Sequence, residues 1–383
     1  MDRDKIACRQ LLALLFAGLF SPMIQLLPGH TVEFAGRGAF LAPLAALPGI
    51  LALGWALEGS IASLPRGGGM AQVLEQAFGR WVGRLLTGVY LVWAAVLLGL
   101  NLRWAAFRFL ATSYRNAPLT FFIVVLLLMT LWLGLGKFSA FARAGEIFFF
   151  ALGAVLVVTL VFSLSQVRAE GLLPVWTEDV PGILRSGGAV LSLTGYSVFA
   201  AFCAGGVTRR PNEGKRTWKW ALGYCAVLTL FQVVCIGSFG EDLVQRMDIP
   251  YFMAVKGIGV EGAFQRVESL VIALWVLADL ALLGLLVFAC RSMLGYLRGT
   301  KWSGRRGGIL AAGVAGMVAL VWAPDAFQLA AWMRNAVAWS LTVLGWMVPL
   351  AAAVVLMVRK KYDKRYKCRR HRRPIYQSLG GCC

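Results

Sequence analysis

Long apolar runs alternate along this chain with short polar, mostly basic stretches. A helix needs about 20 predominantly apolar residues to cross a bilayer. By that measure the pattern predicts ten spans, at residues 9–28, 38–62, 85–107, 118–136, 145–166, 187–206, 218–239, 267–290, 308–323 and 335–358. The ninth is the shortest of them. The runs are continuous and lack the alternating ten-residue pattern of a membrane barrel. The fold class is therefore an all-α polytopic membrane protein. Ten spans divide into five and five, with the first running outward and the sixth inward. Two halves of inverted topology, about 1–166 and 187–358, require that arrangement. They form one transmembrane domain, 1–358, followed by a basic tail, 359–383.

The first run is interrupted by Ser21-Pro22, with Gln25 one turn later. Proline removes a backbone N–H and clashes with the preceding turn, which predicts a kink or an unwound stretch near residues 18–22. In lipid, freed backbone groups are tolerated where they are buried in protein or line a wet cavity. The sixth span carries the counterpart: Gly187-Gly188, then Ser192-Leu193-Thr194-Gly195-Tyr196-Ser197, then Gly205-Gly206. A simple proline kink and close helix packing by glycine account for each feature separately. Paired interruptions in corresponding helices point instead to a binding site at mid-membrane depth.

Composition supports the class. The 383 residues are 59% hydrophobic and 15% charged, with a mean hydropathy of +0.71. No soluble domain hides that much apolar surface. The net charge of +20 reflects topology rather than nucleic-acid binding, because of where the charges sit. Of the 38 Lys and Arg, 28 fall in the N-terminal stretch, the even-numbered loops and the tail. Positive charge marks the inner side, so both termini are expected in the cytoplasm. Ten of those charges lie between Arg359 and Arg373. That tail either serves orientation alone or also lies on anionic lipid. No cleavable signal is apparent ahead of the first span. The eight cysteines show no zinc-type spacing, and those in the apolar runs read as packing residues, while the terminal Cys382-Cys383 forms no prenylation box.

Short motifs in order along the chain resemble the spore-germination permeases, the membrane B subunits of bacterial nutrient germinant receptors. Ala142-Arg143-Ala144-Gly145-Glu146 resembles that family's Arg-x-x-Glu before the fifth helix, and Leu172-Leu173-Pro174 resembles the Leu-Leu-Pro after it. Phe264-Gln265-Arg266-Val267-Glu268-Ser269, with Trp275 beyond, is similar to the Arg-x-Glu-Ser and tryptophan of the eighth helix. Asn116-Ala117-Pro118 stands where the family has a Thr-Pro pair. The sixth span departs from the family, having no carboxylate at Gly195-Tyr196-Ser197 and no proline at Phe202-Cys203-Ala204-Gly205. Ligand identity therefore does not transfer. The resemblance implies the amino acid–polyamine–organocation (LeuT-like) transporter fold, with helices one and six broken. It also implies a nutrient ligand such as an amino acid, A and C partner subunits, and residence in the inner membrane of the spore.

An ionisable residue in hydrocarbon costs about 2.5–3.5 kcal/mol on insertion scales and usually faces the bundle interior. Asp279, near the centre of span eight, is the foremost such residue, as a partner for a cation, an amine or a proton, or as a structural hydrogen-bonding group. Ser21, Pro22, Gln25, Ser192, Thr194, Gly195, Tyr196, Trp275 and Asp279 are the expected ligand site. Unwound N–H groups would hold a ligand carboxylate, and Asp279 an ammonium. Arg103 either pairs with Asp279 or a ligand, or snorkels outward. Arg266 and Glu268 are read as gating or structural residues at the outer mouth. Arg143 and Glu146 have the spacing of a local helical ion pair. The only histidines are His30 and His371, and no metal cluster, nucleophile elbow or phosphate loop occurs. Neither catalysis nor a cofactor is expected. Two functions fit: a germinant-sensing receptor subunit, or a proton- or sodium-coupled amino acid transporter.

Overall fold

A computed structural model describes residues 5–64, 67–112, 116–208, 214–257, 267–322 and 325–371, apart from the side chains of 214–215, 267–268 and 361–371. The described residues open with a two-residue strand, β1 (Ile6–Ala7), which runs directly into α1 (Cys8–Ala35). A 3₁₀ segment leads to α2 (Ala42–Ala62), then α3 (Met70–Phe78), α4 (Arg80–Thr112), α5 (Leu119–Leu135) and α6 (Phe138–Leu164). Next come α7 (Val180–Thr194), α8 (Ser197–Phe202), strand β2 (Val207–Thr208), α9 (Gly214–Phe239) and the short α10 (Glu241–Arg246) and α11 (Pro250–Lys256). The remainder is α12 (Val267–Arg298), α13 (Arg305–Val321), α14 (Ala326–Trp332), α15 (Ala338–Ser340) and α16 (Val348–His371). π-Helical turns at Met333–Val337 and Leu341–Met347 join the last three into one rod.

Six helical stretches among the described residues are long and apolar enough to cross a membrane. They are Cys8–Ala62 (α1 with α2), Arg80–Thr112, Phe138–Leu164, Arg216–Phe239, Ser269–Arg298 and Ala326–Lys360, with Leu119–Leu135 a shorter apolar helix. The molecule is an all-helical, multi-pass membrane protein. Among the described residues, the strand pairing is that of β1 with β2, in parallel.

α1 lies at the centre, packed against α7, α12 and α6. That position explains a correction. α1 is helical straight through Pro22 and Pro28, with no unwound stretch at residues 18–22. Every residue from Ala13 to Ile24 is buried, so neighbouring helices hold the backbone where proline withdraws a hydrogen bond. The expected break in the sixth span is present: α7 ends at Thr194, and a turn at Gly195-Tyr196 separates it from α8. Several helices outrun the apolar stretches that marked them, because polar residues continue a helix once protein rather than lipid surrounds it. α4 extends to Thr112 and α6 begins at Phe138.

Candidate functional site

A polar cluster forms in the centre of the bundle, where α1 crosses α12. At Gly18 on α1, an added Cβ would lie 3.3 Å from the backbone of Leu282 on α12, so glycine permits the two backbones to meet there. One turn on along α1 and one turn back along α12, Ser21 faces Asp279. The Ser21 hydroxyl donates to Asp279 Oδ1. From α4, Arg108 enters the same space. Its Nη1 donates to Asp279 Oδ1 at 3.1 Å and Oδ2 at 3.3 Å, and its Nε donates to Gln25 Oε1 at 3.0 Å. Its guanidinium stands 5.4 Å from the ring centroid of Trp275, which packs on Phe252. Arg108 and Asp279 are each 4% exposed. In so dry a setting a charge is tolerated only when paired and hydrogen-bonded. Here Ser21, Gln25 and the opposite charge provide that pairing. The indole N–H of Trp275 is buried with no acceptor.

Ser21, Gln25, Trp275 and Asp279 thus come together, with Pro22 beside them on α1. Arg108 completes the group, and the sequence reading missed it: the third apolar run was ended at residue 107, one short. The signal was available, since Phe109-Leu110 carries the apolar pattern past Arg108. Arg103 does not pair with Asp279; it is buried, and its Nη1 donates to the carbonyl of Ala319 at 2.8 Å. That carbonyl lies in the last turn of α13, where the helix dipole favours a cation.

The residues of the sixth span form a separate group. Ser192 donates to the carbonyl of Ala189 and Thr194 to that of Leu191, both on their own helix. Tyr196 accepts from Asn101 Nδ2 at 2.9 Å. Gly195 packs on the last transmembrane rod: a Cβ there would meet the carbonyl of Leu341 at 2.7 Å, and one on Gly345 would meet Gly195 Cα at 2.5 Å. The turn is therefore held by backbone contact with the π-helical segment.

Glu146 does not pair with Arg143. Arg143 Nε donates to the carbonyl of Ser139, whereas Glu146 takes Arg9 at 2.9 Å and Gln10 at 3.1 Å, both on the first turn of α1. Glycine at position 145 lets α6 approach Leu14 closely enough for this contact. Glu58, half-buried near the end of α2, accepts the hydroxyl of Thr217 on α9. Arg266 and the side chain of Glu268 lie outside the described residues.

A family model for spore germination proteins matches residues 5–301. The chain belongs to that family. The matched region includes α1, α4 and α12, and so the whole Ser21–Arg108–Asp279 cluster. No curated protein matches the chain. Among solved structures, the chain is similar to Mhp1, a nucleobase-cation-symport-1 family transporter in a closed conformation with bromovinylhydantoin bound. The TM-score is 0.62 at 14% identity, over 90% of this chain and 78% of that one. The chain thus shares the fold of that transporter.

Proposed function

We propose that the chain is the nutrient-sensing membrane subunit of a spore germination receptor, binding a small ligand at mid-membrane depth between α1, α4 and α12. The observation that carries this reading is the buried Arg108–Asp279 pair with Ser21 and Gln25 around it. A pair of this kind is rarely the most stable way to fill a core, because the desolvation cost offsets the Coulombic gain. Intramembrane ionisable groups are by default candidates for function. The pair offers a zwitterionic ligand two partners: Arg108 for a carboxylate and Asp279 for an ammonium. Trp275 adds an N–H that awaits an acceptor and a ring to bound an apolar side chain. An amino acid is the ligand class we put first. In this reading Ser21, Pro22, Gln25, Trp275 and Asp279 line the pocket with Arg108, while Ser192, Thr194, Gly195 and Tyr196 form the hinge opposite. Arg103, Arg266 and Glu268 brace or gate the bundle. The protein is arranged as ten spans in two inverted halves with both termini cytoplasmic. It passes its conformational change to the A and C subunits in the spore inner membrane.

The second reading is a proton- or sodium-coupled amino acid transporter. The transporter fold shared with a cation symporter favours it, and the same cluster would serve.

Ligand-induced thermal stabilisation tests the site. Purified protein in nanodiscs is heated with a panel of amino acids, sugars and nucleosides. A true ligand at about 100 times its Kd adds roughly 2.7 kcal/mol of apparent stability. We expect at least one amino acid to stabilise the wild type and none to stabilise Asp279→Asn. Equal stabilisation of both proteins would remove Asp279 from the site.

A further inference from the structure

A cavity of about 270 Å³ lies among the end of α8, the start of α6, the last turns of α12 and the loop that leads into α3. Two glycine stretches meet in its wall. An added Cβ on Gly205 would lie 2.7 Å from the carbonyl of Gly67, and one on Gly69 would lie 3.0 Å from that of Phe202. β2 begins directly after Gly206 and pairs with β1, so the cavity is at the end of the bundle that carries the N-terminus. Along α12, Arg291 in this wall is about 18 Å from Asp279. The cavity is therefore separate from the mid-membrane cluster.

Arg291 is half-buried here and is held by neutral groups. Its Nε donates to the carbonyl of Ser303 at 3.0 Å, and its Nη1 to those of Gly134 at 2.9 Å and Gly136 at 2.7 Å, at the end of α5. The guanidinium stands over the ring of Phe288, 4.8 Å from its centroid. Among the described residues Arg291 has no ion pair, and its Nη2 has no acceptor. No Asp or Glu is among the described residues that line the cavity. Carbonyl dipoles orient a guanidinium but leave its charge uncompensated, which favours an anion beside it. A second donor lines the same space. Gln72 of α3 uses its Oε1 to accept the N–H of Gly69 at 2.9 Å, and its Nε2 has no acceptor among the described residues.

We propose that this cavity binds a small organic anion, whose carboxylate or phosphate group takes the free donors of Arg291 and Gln72 while its apolar body rests against Phe138 and Phe202. Three carbonyls already fix the guanidinium, so little side-chain freedom is lost when the anion arrives. The other hydroxyls in the wall are spent within the protein. Ser292 donates to the carbonyl of Phe202 and Ser303 to that of Thr300. The two phenylalanine rings set the body of the ligand as a compact apolar group rather than a sugar. A bound anion would hold the end of α8 against α12, and so would stabilise the arrangement seen here over any in which those helices part. The site does not depend on the reading of the Arg108–Asp279 cluster.

Thermal unfolding of the purified chain in phosphatidylcholine nanodiscs tests the site, with phenyl phosphate as the probe and sodium chloride of equal ionic strength as the reference. The wild type should show a saturable rise in unfolding temperature with phenyl phosphate, and none with benzyl alcohol, which has a ring but no charge. Gln72→Glu keeps an oxygen for the Gly69 N–H but replaces the free donor with a negative charge. It should weaken half-saturation at least about tenfold, because like charges in close contact repel strongly. Gln76→Glu makes the same change at an exposed position of α3 outside the cavity and should respond as the wild type does. Gly206→Asp is the second variant should Gln72→Glu fold poorly. A Cβ there meets only the ring of Phe138 at 4.0 Å, and the added charge should weaken the response likewise. Absence of any rise beyond that in chloride would overturn the proposal, as would Gln72→Glu and Gly206→Asp both responding like Gln76→Glu. Phosphatidylglycerol nanodiscs identify the source of the anion. If that lipid alone raises the unfolding temperature of the wild type but not of Gln72→Glu, and abolishes the phenyl phosphate response, the site holds a headgroup. An unchanged response assigns it to a soluble anion. Amino acid stabilisation reports on the cluster and phenyl phosphate on this cavity, so either reading can fail while the other stands.

Discussion

Arg108 and Asp279 depend on each other in a way that separate substitutions and a combined one should reveal. Replacing Arg108 with Met leaves a carboxylate 4% exposed with only Ser21 to satisfy it. Replacing Asp279 with Leu leaves a guanidinium equally buried. Removal of one partner from a buried pair costs about 3–5 kcal/mol, whereas exchanging the whole pair for apolar residues is often neutral. We expect Arg108→Met and Asp279→Leu each to unfold well below the wild type in nanodiscs, and the double variant to recover most of the loss without regaining ligand response. A double variant as unstable as the sum of the singles would show that the two side chains act independently. Ser21, Gln25 and Asp279 were legible in the sequence because a polar or ionisable group inside an apolar run stands out, and Trp275 because it belongs to a motif that resembles the family's. Arg108 was not, because a basic residue at the apparent end of a run is ordinarily one that snorkels to the interface. Ser192 and Thr194 show the opposite effect. A hydroxyl on a transmembrane helix can return its hydrogen bond to its own backbone, as both do here, and so marks a ligand site poorly.

At the scale of elements, glycine and proline differ in how openly they declare their effect. Pro22 predicts a break, yet α1 runs through it because neighbours bury it on every side. The Gly195 break is present and is held by close contact with Gly345 on the last rod. That contact sets a second expectation. Gly345→Ala places a Cβ 2.5 Å from the backbone of Gly195, with no flexible side chain to yield. The two helices must separate, which by analogy with overpacked cores costs about 1–3 kcal/mol. Gly313→Ala on α13 and Gly59→Ala on α2 meet nothing within 4 Å. They should be neutral, or stabilising by up to about 1 kcal/mol through helix propensity. Thermal unfolding of the three variants in the same nanodiscs decides the matter, and a Gly345→Ala protein as stable as the other two would show that the crossing is loose. Other elements carried no local signal. The short α3, α10 and α11 lack the length of a span, and β1 pairs with a partner some 200 residues away.

For the whole molecule, the distribution of basic residues leads to one experiment. Of the 38 Lys and Arg, 28 lie in the N-terminal stretch, the even-numbered loops and the tail. Retaining these on the cytoplasmic side is the strongest orienting force a polytopic chain has. The structure adds a tie between both ends of the chain and that same rim. Glu146 and β2 hold the first turn of α1, and Arg359 of α16 donates to the carbonyl of Gln76 at the end of α3. If this rim is cytoplasmic, trypsin added to inside-out vesicles should remove the tail beyond Arg359, and trypsin added to right-side-out vesicles should leave it intact. An N-terminal epitope should show the same sidedness. Cleavage from the outside would reverse the orientation.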